Sequence, residues 1–232
     1  MDHGTTQAAL AEILITEDLS QRQPHSPDLQ AENDAYLALA RLMAGQPGEL
    51  LPTLMQAAVR LCRAGTAGVS LLEPTSDGQE LFRWVALAGV YEGHEGGTTP
   101  RDFSPCGTCL DRNSPQLYSY PARRFTYVNK VTPPIVEALV IPFGVERPTL
   151  GTIWIISHDE SRKFDGEDVR LMTGLADFTA DALNSVAGKK RTPSSVGRYR
   201  KRIDAKTCSW RLLPTNSATR LRRSETLSRY YG

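Results

Sequence analysis

Long apolar runs are missing from the sequence: the longest unbroken stretches, such as residues 138–145, fall well short of the roughly 18 residues that span a bilayer. No transmembrane helix is expected. The opening Met-Asp-His-Gly-Thr-Thr lacks a charged region followed by an apolar one, so no secretory signal is expected and a cytoplasmic address follows. Cysteine is scarce. Cys62, Cys106, Cys109 and Cys208 are unequally spaced and read as thiols, not as a disulfide framework. With no second Cys pair and no close His pair, Cys106-Gly-Thr-Cys109 falls short of the roughly four ligands of a zinc site, and no metal is expected. Phosphate-loop and dinucleotide signatures are also missing. Gly93, Gly96 and Gly97 flank His94 in a loop, where they serve turns.

Acidic residues are nearly lacking from the end of the chain. Residues 187–232 hold 13 Lys/Arg against 2 Asp/Glu, whereas residues 1–186 hold 14 against 24. The formal net charge of +1 therefore sums an acidic body (−10) and a basic tail (+11). At 232 residues and 40% apolar content, the body is long enough to bury one sizeable core, and one domain is expected.

Residues 9–19 form a short apolar helical stretch that Pro24 and Pro27 cut off, which reads as a leader and linker over residues 1–29. Asn33 can cap a helix running to residue 44, and a second helix places Leu51, Leu54, Met55, Ala58 and Leu61 on one face, with Gly65 as its stop. The period then changes. Residues 67–73 and 80–88 read as a hairpin turned at Ser76-Asp77-Gly78, and residues 137–145 and 149–158 as a second hairpin. The runs Ala138-Leu-Val-Ile and Ile153-Trp-Ile-Ile suit central strands covered on both faces. Asp165 then caps a helix whose stripe is Leu171, Met172, Leu175, Ala176, Thr179, Leu183 and Val186. Two hairpins between helices favour an antiparallel α+β domain over residues 30–187.

That order of elements, together with Gly96-Gly-Thr-Thr-Pro-Arg-Asp-Phe-Ser-Pro-Cys-Gly107, Leu110-Asp-Arg112, Thr132-Pro-Pro-Ile135, Leu150-Gly-Thr-Ile-Trp154 and Ser157-His-Asp-Glu160, resembles the GAF domain found at the front of bacterial sensor histidine kinases. The resemblance covers about two thirds of the chain. It implies an antiparallel sheet with helices on one face and, on the other, a pocket that takes a small ligand. In different members that ligand is a cyclic nucleotide, a tetrapyrrole or haem, so the cofactor is unknown. It also implies a homodimer through the flanking helices, residues 33–63 and 165–187, and a kinase or response-regulator partner in a two-component system.

The insert at residues 89–134 is the expected pocket, because a long segment of little regular structure in a compact domain is usually functional or disordered. Candidate lining residues are Trp84, Arg101, Phe103, Cys106, Tyr118, Phe125 and Trp154, joined by Tyr120 and Tyr127, with Arg101, Arg123 and Arg124 available to an anion. Cys106 and Cys109 are redox candidates. Ser104-Pro105 before them can open a short helix whose N–H groups would lower a thiol pKa. This supports an alternative, a cysteine-dependent redox enzyme of the free methionine sulfoxide reductase type. Packing of both thiols is the simpler reading, and the leading expectation is a non-catalytic sensory module. His158-Asp-Glu160 has the look of a kinase phosphoacceptor, but it follows an apolar strand instead of sitting on a long helix, and no ATP-lobe motif follows. Bilin attachment would pair a Cys with a neighbouring His, which neither Cys106 nor Cys109 has. The basic stretch at residues 188–232 reads as a disordered tail that contacts nucleic acid or an anionic surface, docks on the acidic body, or is a frame-shift remnant of a kinase linker.

Overall fold

In the computed structural model, which describes residues 8–144 and 151–188, the chain opens with two helical turns, α1 (Leu10–Ile13) and α2 (Asp18–Gln21), ahead of a long helix, α3 (Leu29–Gly45). Asp28 caps α3, its carboxylate accepting from the Ala31 N–H at 3.0 Å, so the helix begins five residues before the expected Asn33. A 3-10 turn at Pro47–Glu49 leads into α4 (Leu50–Leu61), which ends where Arg63 takes the left-handed conformation at φ 48°. Gly65 is not the stop; it is needed because the His158 ring lies 2.5 Å from where a Cβ would stand.

Strands β1 (Thr66–Pro74) and β2 (Glu80–Gly89) form the expected hairpin, turned over Gly78 at φ 81°. After them come β3 (Thr98–Pro100), α5 (Pro105–Arg112), β4 (Gln116–Ser119), 3-10 turns at Pro121–Arg123 and Thr126–Lys130, β5 (Glu137–Phe143), β6 (Gly151–Ser157) and α6 (Gly166–Gly188). The link between β5 and β6 and the basic tail lie outside the described residues. The six strands form one sheet in the order β3-β2-β1-β6-β5-β4, every neighbour antiparallel.

The insert is more regular than expected. Its two short strands, β3 and β4, are the sheet's edges, each paired with one other strand, and strands of three and four residues carry no readable alternation. α5 opens as expected: Ser104 Oγ accepts from the Gly107 N–H at 3.0 Å and Pro105 takes the first turn.

Strand alternation divides the interior. Leu139, Ile141, Ile153 and Ile155 face a layer built of α3, α4 and α6, while Ala138, Val140, Trp154 and Ile156 face α5 and the insert. A bulge shifts the β1–β2 register between Val69 and Ser70: Val69 pairs with Ala86 but Ser70 with Trp84. Without it Trp84 and Phe82 would fall on the helix layer.

Residues 8–28, expected as leader and linker, pack on the sheet. Ile13 is fully buried, Leu14 bridges Tyr118, and the Ile15 N–H donates to the Leu117 carbonyl at 2.9 Å, covering the free edge of β4. Arg22 makes a two-pronged pair with buried Glu137 at 2.9 and 3.0 Å, and His25 contacts Asp165 at 2.9 Å. Asp165 caps α6 as expected, accepting from Glu167 N–H at 2.8 Å, and Asp168 returns the bond to Asp165 N–H at 2.9 Å. Among the described residues no helix is long and apolar enough to cross a membrane.

Candidate functional site

A partly open cavity of about 60 Å³ lies between the sheet and the insert. Its floor is Ala138, Val140, Trp154 and Ile156 of β5 and β6, with Trp84 of β2 beside them. Trp84 and Trp154 meet edge to face at 6.0 Å, and Trp154 Nε1–H donates to buried Ser70 Oγ at 2.8 Å, which holds the indole in place. Gly68, paired with Trp154 across the ladder, leaves the space the ring occupies: a Cβ there would lie 2.3 Å from it. The roof comes from the insert, with Pro121, Val128, Val131 and Ile135 over the opening. Tyr91, Thr99, Pro105, Cys106 and Tyr127 close the sides.

Among the described residues no charged side chain lines this cavity. Two of the lining residues, Thr99 and Tyr127, have hydroxyls that are buried without a hydrogen-bond partner among the described residues. A buried hydroxyl left unpaired costs about 1–3 kcal/mol, so such atoms need an explanation.

Of the seven expected lining residues, Trp84, Cys106 and Trp154 line the cavity; Arg101, Phe103, Tyr118 and Phe125 do not. Phe103, Tyr118 and Phe125 form an aromatic cluster behind it, with ring centroids 5.2 Å apart for Phe103–Phe125 and 6.3 Å for Tyr118–Phe125. Tyr118 is fully buried, and its hydroxyl donates to the Pro105 carbonyl at 3.0 Å. The arginines expected for an anion have other work. Arg101 pairs with Asp111 at 2.6 Å, Arg123 lies 3.6 Å from Glu12, and Arg124 stacks on Phe103 and Phe125 while donating to the Ala8 carbonyl. Tyr91 and Thr99 escaped the sequence reading, because nothing local separates a pocket-facing Thr on a three-residue strand from a turn residue.

The thiols are packed. Cys106 contacts Ser70 Oγ at 3.9 Å, Cys109 donates to the carbonyls of Ser114 and Val140 at 3.4 Å, and Cys62, Cys106 and Cys109 are free and buried. Burial pushes the Cys106 thiol up and the Cys109 thiol well up, opposite to the direction an activated cysteine needs. Burial likewise holds the Tyr127 phenol well above its usual range, so it stays protonated and able to donate. His158 is a fastener between elements: its ring nitrogens contact Pro134 O at 2.8 Å and Thr66 Oγ1 at 2.9 Å, and its ring packs on Tyr91 at 4.9 Å. Among the described residues His25, Asp165 and Asp168 come within metal-ligand reach of one another, but Asp165 caps α6 and holds His25, and Asp168 pairs with Arg162 at 2.6 Å.

A six-stranded antiparallel sheet with its helix layer on one face and a cavity roofed by a long insert on the other is the arrangement that the sequence resemblance implied. The model of the GAF domain family matches residues 44–184. The chain belongs to the GAF domain family. Among solved structures, the second GAF domain of DevS from Mycobacterium smegmatis is 20% identical, with a TM-score of 0.50 over 63% of this chain and 99% of that one. The GAF domain of a phosphoenolpyruvate-protein phosphotransferase from Coxiella burnetii is 14% identical, with a TM-score of 0.56 over 70% of this chain and 98% of that one. The free methionine-R-sulfoxide reductase from Neisseria meningitidis, solved in complex with its substrate, is 11% identical, with a TM-score of 0.54 over 73% and 98%. At such identities the likeness concerns the GAF fold alone. No curated protein sequence matches this one significantly.

Proposed function

We propose that this GAF domain is a non-catalytic sensory module that binds a small molecule between the sheet and the insert and passes the event to α6. The cavity carries this reading: it is walled by the aromatic pair Trp84 and Trp154, roofed by the insert and lined, among the described residues, by no charged group. Apolar concave sites with a few polar groups are the ordinary form of small-molecule sites. The same strands reach the output side. β5 begins at Glu137, which holds the Phe164 N–H at 3.0 Å just before the Asp165 cap of α6, so a shift in the pocket floor bears on the start of that helix. A cytoplasmic homodimer through the helices of residues 33–63 and 165–187, acting on a kinase or response regulator of a two-component system, is the wider context we favour on the sequence resemblance.

A redox enzyme of the free methionine sulfoxide reductase type shares this fold but has less support. An amino-acid substrate carries both charges, and among the described residues the cavity offers neither a counter-ion nor a thiol with a lowered pKa. The test is hydrogen exchange on the full chain before and after ligand uptake, with native mass spectrometry to identify any retained molecule. Protection is expected to rise in residues 89–134 and in the first turns of α6. Protection confined to the insert would refute passage of the signal to α6. Turnover of free methionine sulfoxide that disappears in Cys106→Ser would refute the non-catalytic reading.

A further inference from the structure

We infer that residues 8–28 form a strap that ties the roof of the pocket to the cap of α6, so that order at one end depends on order at the other. The inference rests on the reading of the cavity as the sensory site and adds the element that carries its signal around the edge of the sheet.

One end of the strap holds the roof. The Ala8 N–H donates to the Arg123 carbonyl at 3.1 Å and the Arg124 guanidinium donates to the Ala8 carbonyl at 3.3 Å, at the end of the Pro121–Arg123 turn whose Pro121 lies over the cavity. The other end holds α6. Arg22 grips Glu137 and the Phe164 carbonyl, and the His25 backbone N–H and ring Nδ1 meet Asp165 Oδ2 at 3.2 and 2.9 Å. Asp165 is the cap of α6, and a Cβ at Gly166, the first residue of that helix, would stand 3.7 Å from the Pro24 ring.

Between these ends the strap passes from one face of the sheet to the other. Leu10, Ile13 and Leu14 pack in the pocket-side core, whereas Ile15 and Leu19 pack against the core of the helix layer. The crossing is at the edge strand β4, where neighbouring residues of an extended chain point to opposite faces. There the Ile15 N–H donates to the Leu117 carbonyl at 2.9 Å and the Leu117 N–H to Thr16 Oγ1 at 3.1 Å.

The strap cannot hold its own shape. α1 and α2 have four residues each, far below the roughly 12 at which an isolated helix becomes even marginally stable, so their order comes from the surfaces they touch. Releasing either end therefore loosens the segment between, which is how a short stretch of chain behaves as one cooperative unit. A coupling of this kind acts equally in both directions.

The test needs no ligand. Amide exchange is followed residue by residue in the full chain, at the roof end on Ala8 and residues 123–125 and at the cap end on Glu167, Asp168 and Val169, whose N–H groups Asp165 holds. Ile13→Ala cuts a fully buried anchor on the pocket side of the sheet and touches neither Glu137 nor Asp165. Ile156→Ala makes the same deletion in the cavity floor, off the strap, and serves as its match. At equal loss of global stability in urea, Ile13→Ala should speed exchange at the cap end about tenfold more than Ile156→Ala does. Arg22→Met should speed exchange at the roof end by a similar factor. Should an alanine variant fail to fold, Ile13→Val and Ile156→Val make the same comparison on a smaller scale. Faster exchange confined to the end that was cut overturns the strap, and so does equal acceleration at the cap by the two alanine variants, which would give the signal to the floor strands alone. The sensory reading survives both results, because β5 still reaches α6. Coupling between the two ends in a chain that takes up no small molecule would uphold the strap and refute the sensory reading.

Discussion

Replacing Arg22 with Met tests whether the segment before α3 is a working part of the domain. The guanidinium gives two hydrogen bonds to Glu137, at 2.9 and 3.0 Å, and a third to the Phe164 carbonyl at 2.6 Å. The Glu137 carboxylate is 1% exposed, so removing its partner strands a charge in the interior; Lys163 stands 3.7 Å away and compensates little. Breaking a buried pair from one side costs about 3–5 kcal/mol, and because the Arg22 side chain is 21% exposed the low end, about 3 kcal/mol, is expected. For a domain of this size that is roughly 6–12 °C in melting temperature. The assay is urea unfolding followed by tryptophan emission, run as a cycle with Glu137→Gln, which keeps an acceptor for the Phe164 N–H. The double variant should lose only about 1 kcal/mol, since it leaves no buried charge behind. A loss below about 1 kcal/mol in Arg22→Met, as for an exposed pair, would refute the reasoning, and so would a double variant equal to the sum of the singles.

Two further outcomes follow from the packing. Gly68→Ala places a methyl 2.3 Å from the Trp154 ring and 2.7 Å from Leu87 Cδ2, and such overpacking should cost about 1–3 kcal/mol and shift the Trp154 emission; an unchanged spectrum and midpoint would mean that the ring is not held as described. Burial raises the thiol pKa values of Cys62, Cys106 and Cys109, so above the ordinary thiol value of about 9 the unfolded chain releases protons that the folded one keeps. Stability should therefore be full below that pH and fall above it, by up to about 1.4 kcal/mol per pH unit for each thiol, and urea midpoints between pH 8 and 10 under reducing conditions would show no such fall if the thiols were accessible.

Much of the fold was legible from neighbouring residues. The stripe after Asp165, the paired apolar runs of β5 and β6, and the Ser76-Asp77-Gly78 turn each state their structure within one window, because helix and strand periods are local properties of the chain. The edge strands β3 and β4 were not legible, since they have three or four residues and are defined by pairing with another strand, β2 and β5 respectively. Nor was the role of residues 8–28, whose Arg22–Glu137 contact spans 115 positions.

The sequence by itself determined the order of the main elements, because turn chemistry, capping residues and periodicity are written in adjacent positions, while its motifs carried the resemblance to the family. Which aromatics meet the cavity was decided by tertiary structure alone. The bulge at Val69 and Ser70 sets the phase that carries Trp84 to the pocket face, and the distant pairing of insert with sheet leaves Phe103, Tyr118 and Phe125 as props behind the wall. The same long-range packing turned Arg101, Arg123 and Arg124 to partners elsewhere and away from the cavity, which no local pattern could have announced.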